Sequence, residues 1–277
     1  MSVLGAAGGP STVGSVSLGL DEMQFLLETL EFDELPTVLQ AIGRYDNRAD
    51  HDAAMEVAER QLAERDLLID GVVHRELEDR LRTLYRPHWV LALRLVVNGQ
   101  ISRLALAKGD DLTVVALRGP FSYVLSEVDE DLPGPLVAAL GRAEPLEIES
   151  MNAETELLAP IFGDAGDAAA TAERLAKVCT PARDVQALAS ALVEIHSHTQ
   201  ISAVVYGDGT REISDSHIAV FDTRGGRIVL TAAPADDGTK WTSISSGTTA
   251  RLRTAIKDLI ASLPEREEFP QVVPPPV

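Results

Sequence analysis

Apolar residues recur with a period of two along Gln200–Tyr206, His217–Asp222, Arg227–Ala232 and Trp241–Ser245, and this spacing predicts four strands. Within the first of them Ile201, Ala203 and Val205 share a face opposite Ser202, Val204 and Tyr206. Gly207-Asp208-Gly209, Arg224-Gly225-Gly226 and Asp236-Asp237-Gly238 separate the strands and are turn sequences, because Gly and Asp reach positive φ at little cost. The period then lengthens to that of a helix. Leu252, Ala255, Ile256, Leu259, Ile260 and Leu263 fall on one side, Thr248 or Thr249 offers a capping hydroxyl, and Pro264 is the stop. A meander closed by a helix is an α+β unit.

The same order of patterns occurs earlier in the chain. His88–Val97, Ser102–Lys108, Leu112–Arg118 and Phe121–Ser126 read as strands, punctuated by Asn98-Gly99, Gly109-Asp110 and Gly119-Pro120, and the helix Leu132–Leu140 follows. In the leading strand Trp89, Leu91, Leu93, Leu95 and Val97 share one face, while Val90, Ala92, Arg94 and Val96 make a second face that reads as half-buried. Two helices precede each meander: Asp52–Asp66 and Arg75–Leu84 in the first half, Ala168–Cys179 and Arg183–His196 in the second. The pattern is therefore repeated with an offset of roughly 110 residues, although few residue identities repeat. Ahead of it lie an edge strand at Ser15–Leu18, a helix Asp21–Leu30 capped by Asp21, and a further helix from Leu35-Pro36 that carries Val38, Leu39 and Ile42 and stops at Gly43. Leu67-Leu68-Ile69 followed by Asp70-Gly71 reads as a turn into the helix bearing Leu77, Leu81 and Leu84. The expected organisation is a flexible arm 1–14, an α+β half 15–145, an acidic irregular connector 146–167, a second α+β half 168–264 and a flexible proline-rich tail 265–277.

Composition narrows the function. A chain of 277 residues with 45% hydrophobic residues can bury a substantial core. The net charge of −19 repels nucleic acid and anionic membranes, and aromatics at 4% are too sparse for a base-stacking surface. No apolar run is long enough to span a bilayer, and the N-terminus lacks the basic and apolar regions of an export signal, so a cytosolic protein is expected. The single cysteine, Cys179, excludes an internal disulfide and reads as a small buried hydrophobe.

Catalytic chemistry is not announced. The sequence holds no Gly-rich phosphate loop, nucleophile elbow, zinc helix or Cys-rich metal spacing. His196-Ser197-His198, placed at a helix-to-strand junction, is the one close histidine pair and lacks further ligands at a usual spacing. Asp208-Gly209 and Asp236-Asp237-Gly238 do not continue into a calcium ligand series, and Glu127–Asp131 reads as a solvated helix entrance. No catalytic residue, cofactor or metal is expected.

Several stretches together resemble the EspG family of ESX (type VII) secretion-associated chaperones of actinobacteria. They are Leu35-Pro36-Thr37-Val38-Leu39, then Leu67-Leu68-Ile69-Asp70-Gly71 with Leu77 and Leu81, and Arg86-Pro87 entering the first meander. In the second half they are Ala219-Val220-Phe221-Asp222-Thr223 with Gly226-Arg227, Trp241, and the closing Leu263-Pro264. The resemblance spans Val16 to Pro264 and rests on order, length and doubled architecture. It implies one α+β fold with quasi-two-fold halves, and a cytosolic protein that is not an enzyme. Such a protein masks the hydrophobic helical tip of a PPE protein in a PE–PPE heterodimer and directs it to the ESX system, with a homodimer as one form of the free chaperone. The family binds through its central sheet and C-terminal helices, which nominates Arg94, Val96, Val204 and Tyr206 on half-buried sheet faces as partner-binding residues. The residues themselves leave open a small-ligand-binding or enzymatic α+β domain with an unrecognised site.

Overall fold

The computed structural model describes residues 14–39, 44–207 and 210–263. The first half comprises β1 (Val16–Gly19), α1 (Leu20–Thr29), α2 (Arg48–Ala63), the short strands β2 (Leu68–Ile69) and β3 (Val72–Val73), and α3 (Arg75–Tyr85). Its meander is β4 (Trp89–Val97), β5 (Gln100–Lys108), β6 (Thr113–Arg118) and β7 (Ser122–Glu127), closed by α4 (Pro133–Leu140). The second half comprises β8 (Met151–Glu154), α5 (Thr155–Gly163), α6 (Ala168–Val178) and α7 (Val185–Leu192). It ends with β9 (Ile195–Gly207), β10 (Thr210–Thr223), β11 (Gly226–Pro234), β12 (Lys240–Ser246) and α8 (Thr249–Ala261).

All strands but the β2–β3 hairpin join one ten-stranded sheet in the order β1-β7-β6-β5-β4-β9-β10-β11-β12-β8. Every pairing in it is antiparallel. The order is unchanged when the halves are exchanged, so the quasi-two-fold relation expected from the repeated pattern holds, with its axis between β4 and β9. There Leu93 lies opposite Ile201.

Strand alternation sends residues to two faces, and each face is covered differently. On one face α4 and α8 pack over the middle of the sheet, burying Leu93, Leu104, Ile201 and Val220 against Leu136, Leu252, Ile256 and Leu259. On the other face the helices sit at the wings. Met23, Leu26, Leu77 and Leu81 cover Ala105, Val114 and Leu125 in the first half, and Leu158, Leu175 and Leu188 cover Ile228, Leu230 and Ile244 in the second.

The segment 146–167, expected to be irregular, instead carries β8 and α5. β8 pairs with β12 from Trp241 opposite Glu154 to Ile244 opposite Met151 and is the counterpart of β1. Met151 and Ala153 point inward and Asn152 and Glu154 outward, an alternation too short to stand out against the acidic surroundings. A second correction concerns the helix expected to reach His196. α7 stops at Leu192, because β9 begins at Ile195 and is held by β10 on one side and β4 on the other. The helix expected from Leu35 is one 3-10 turn, Thr37–Leu39, and the Leu67–Gly71 turn is the β2–β3 hairpin, with Asp70 and Gly71 both at positive φ. α2 starts earlier than expected, with the Asn47 side chain accepting from the Asp50 N–H at 2.9 Å. Asp21 does not cap α1: Gly19 is the cap residue and its N–H donates to Glu22 at 2.6 Å, while Asp21 accepts from Arg44 and Tyr45. Thr248 caps α8 as expected, accepting from the Arg251 N–H at 3.1 Å. The N-terminal arm (apart from Gly14), Ile42, Gly43, the Asp208-Gly209 turn, Pro264 and the proline-rich tail lie outside the described residues.

A buried ion pair fixes α4 to the sheet. Arg227 is 3% exposed, and its guanidinium donates to Asp222 at 2.5 and 2.9 Å and to the carbonyls of Leu140 and Gly141, each at 2.9 Å. Those carbonyls end α4, so the cation also meets the negative pole of the helix. Gly226, at φ +130°, lets the chain pass so close to the 145–146 peptide that a Cβ would lie 2.6 Å from the Leu146 nitrogen.

Candidate partner-binding face

Among the described residues no α-helix covers the centre of the sheet between the two wings, where the 3-10 turn Thr37–Leu39 packs at the edge of the first wing. One cross-strand row shows this plainly. It starts at Leu18 and Tyr123, buried in the first wing, passes through Arg118, Arg103, Arg94, Gln200 and Ala219, and ends at Leu230 and Ile244 under the second wing. Its ends are buried and apolar, whereas Arg94 and Gln200 at the centre are exposed.

The nominated residues all lie on this face, in two separate places. Arg94 and Val96 lie opposite Gln200 and His198, and Val96 is half-buried. Val204 lies opposite Val90 on one side and Ile213 on the other. From His198 to Val204 is six steps along β9, or about 20 Å at the usual rise per residue. Ile213 is 74% exposed, so the far end of the face carries an apolar pair open to solvent. Tyr206 packs against the core of the first wing, where burial pushes its phenol pKa up against the pull of the Arg211 cation. It therefore borders the face more than it lines it.

Ile213, Arg103 and Arg118 also belong to this face and were not singled out in the sequence, and His198, noted there as half of a histidine pair, lies on it opposite Val96. For Ile213 the signal is weak, because an irregularity in the β9–β10 register between Ile213 and His217 breaks the alternation. For Arg103 the signal was present. Asn98 and Gly99, both at positive φ, form a two-residue hairpin turn that places Val97 opposite Gln100, and counting back along both strands puts Arg94 opposite Arg103.

His196 and His198 stand at the start of β9, just past the end of α7, and the His198 ring lies 6.5 Å from that of Phe221. Among the described residues no group of three His, Cys, Asp or Glu side chains is placed to hold a metal. Elemental analysis of the purified protein is expected to find no stoichiometric zinc, and His196→Ala with His198→Ala should leave the melting temperature unchanged. About one zinc per chain would contradict this. Cys179 is buried, and desolvation pushes its thiol up to about 11, which keeps it protonated and unreactive at neutral pH. A cleft between α8 and the β10–β11 pair, lined by Arg251, Thr254 and Asp258, encloses about 260 Å³, below the ~300–1,000 Å³ of ordinary ligand sites.

The EspG family model matches residues 19–258 of this chain. The chain is 26% identical over 280 aligned positions to the ESX-3 secretion-associated protein EspG3 of Mycobacterium tuberculosis, covering 94% of this chain and 95% of that protein. It is 24% identical over 262 positions to EspG3 of Mycolicibacterium smegmatis, covering 92% and 89%. Its fold matches that of the Mycobacterium tuberculosis type VII secretion system chaperone EspG5, solved in complex with a PE25–PPE41 dimer. There the TM-score is 0.73 at 18% identity, over 91% of this chain and 98% of the other.

Proposed function

Given that this chain belongs to the EspG family, we propose that it is a cytoplasmic, non-enzymatic chaperone of a type VII secretion system. It binds the hydrophobic helical tip of a PPE protein within a PE–PPE heterodimer, keeps that dimer soluble and directs it to the secretion machinery. The observation that carries the reading is the fold shared with a relative solved with a PE–PPE dimer, joined to a sheet face that no α-helix among the described residues covers at Arg94 and Gln200. The two halves, 15–145 and 168–264, act as one binding unit. An apolar helical tip is an aggregation hazard in water, and a half-apolar face on an anionic scaffold masks it while remaining soluble. Among the described residues no helix is long and apolar enough to cross a membrane, which agrees with a soluble carrier.

Arg94 and Val96 form one end of the contact surface, Val204 and Ile213 the other, with Tyr206 at its border. Co-expression with each PE–PPE pair of the source genome, followed by size exclusion, should recover a complex with one copy of each chain. A specific interface of this kind buries on the order of 1,600 Å² in total, with its energy concentrated in a few central residues. Val96→Glu and Val204→Glu should each weaken binding by about tenfold or more, with melting temperatures close to that of the parent. If no pair co-elutes, or if both variants bind like the parent, the reading fails.

A further inference from the structure

We propose that Arg94, Arg103 and Arg118 form a ladder that takes up carboxylates from an acidic segment of a protein partner. The three lie directly opposite one another on adjacent strands β4, β5 and β6, on the open sheet face. Directly opposed like charges are unfavourable in a sheet, since the side chains stand only about 5 Å apart at their bases. Elsewhere this chain neutralises guanidiniums beside its sheet: Arg80 pairs with Glu127 at 2.9 Å, Arg227 with Asp222 at 2.5 Å and Arg65 with Glu22 at 2.7 Å. Arg94, Arg103 and Arg118 form no ion pair among the described residues.

The outer rung, Arg118, is held in place by its neighbours. The Arg118 guanidinium lies 4.9 Å from the centroid of the Tyr123 ring and donates to the Gly119 carbonyl, while its Nε is buried and has no acceptor. The Tyr123 pKa is raised by burial, and the cations of Arg118, Arg103 and Arg44 oppose that rise. Planar guanidiniums match carboxylates through paired N–H donors. One rung further along, Val96 lies opposite Ile101, both half-buried. The segment that fits therefore carries acidic side chains beside an apolar one. A protein with a net charge of −19 repels an extended polyanion such as nucleic acid, so a short local match to carboxylates is favoured.

This inference rests on the chaperone reading only for the identity of the partner. The full chain and an Arg94→Gln, Arg103→Gln variant are compared for binding of a short fluorescent peptide of alternating Glu and Leu and of its Gln–Leu counterpart. The parent should prefer the acidic peptide, by a margin that shrinks as salt is raised, and the variant should lose that preference. The variant's melting temperature should be unchanged or higher, because relief of like-charge opposition is the reverse of what removing a structural arginine does. Any PE–PPE pair that co-purifies should bind the variant about tenfold more weakly at low salt and with a flatter salt dependence. Retained preference in the variant, no preference in the parent, or equal binding of single-stranded DNA overturns the ladder. Failure of every PE–PPE pair alongside a clear peptide preference overturns the chaperone reading and leaves the ladder standing.

Discussion

Replacing Ile256 by Asp is expected to abolish soluble expression. Ile256 has no exposed surface and sits mid-way along α8, in the cluster that contains Leu93, Ile201 and Leu136 at the centre of the molecule. Truncating a buried isoleucine costs about 2–5 kcal/mol on its own, and the new carboxyl would enter an apolar site with no cation to meet it. The sum is comparable to the ~5–15 kcal/mol by which whole domains are stable. Ile256→Val provides the control: it should cost about 0.5–1.5 kcal/mol and stay soluble. The measurement is the soluble fraction on expression, followed by thermal unfolding. An Ile256→Asp protein that is soluble with an unchanged melting temperature would show that this stripe of α8 is not core.

The second large effect is expected at Arg227. Arg227→Ala removes a cation that is 3% exposed, leaves Asp222 without its ion pair and frees the terminal carbonyls of α4. Breaking a buried pair in this way costs about 3–5 kcal/mol. The Asp222 side chain is 23% exposed and regains some hydration, so the lower end of that range applies. At about 2–4 °C per kcal/mol for a chain of this size, the melting temperature should fall by roughly 6–12 °C. Arg227→Met combined with Asp222→Leu should recover part of the loss, because the stranded charge is gone. A shift below about 2 °C in Arg227→Ala would mean that the clasp contributes little beyond packing.

The doubled meander and its closing helices were legible because long alternating strands and the α8 stripe carry strong periodicity. Sheet-edge pieces were not equally legible. β8 has only two inward residues, Met151 and Ala153, and α5 contains Pro160, so neither has a pattern that separates it from loop. The signal that was missed lies in the repeat itself, since the first half opens with a strand and helix at Val16–Thr29 and the second half calls for the same. Alternation grouped Arg94 with Val96 on one strand and Val204 with Tyr206 on another, and the β4–β9 register puts both groups on one side of the sheet. Which part of that side lies open was beyond the sequence, because it depends on how far the wing helices reach across the sheet. Register could be counted for β4 and β5 through the Asn98-Gly99 turn, but Arg118 falls into line only when the longer β5–β6 connection is seen.

The pairing of β4 with β9 joins the two halves along the middle of the sheet, with Trp89 opposite Val205 and Val97 opposite Ser197. Made as separate chains, the halves would each end in a bare strand edge, and their union would depend on the amount of protein present. Covalent connection replaces that dependence with a fixed effective concentration, so dilution does not pull the seam apart. The open face thus stays intact at any dilution, since it is laid across the seam and exists only while the seam is closed.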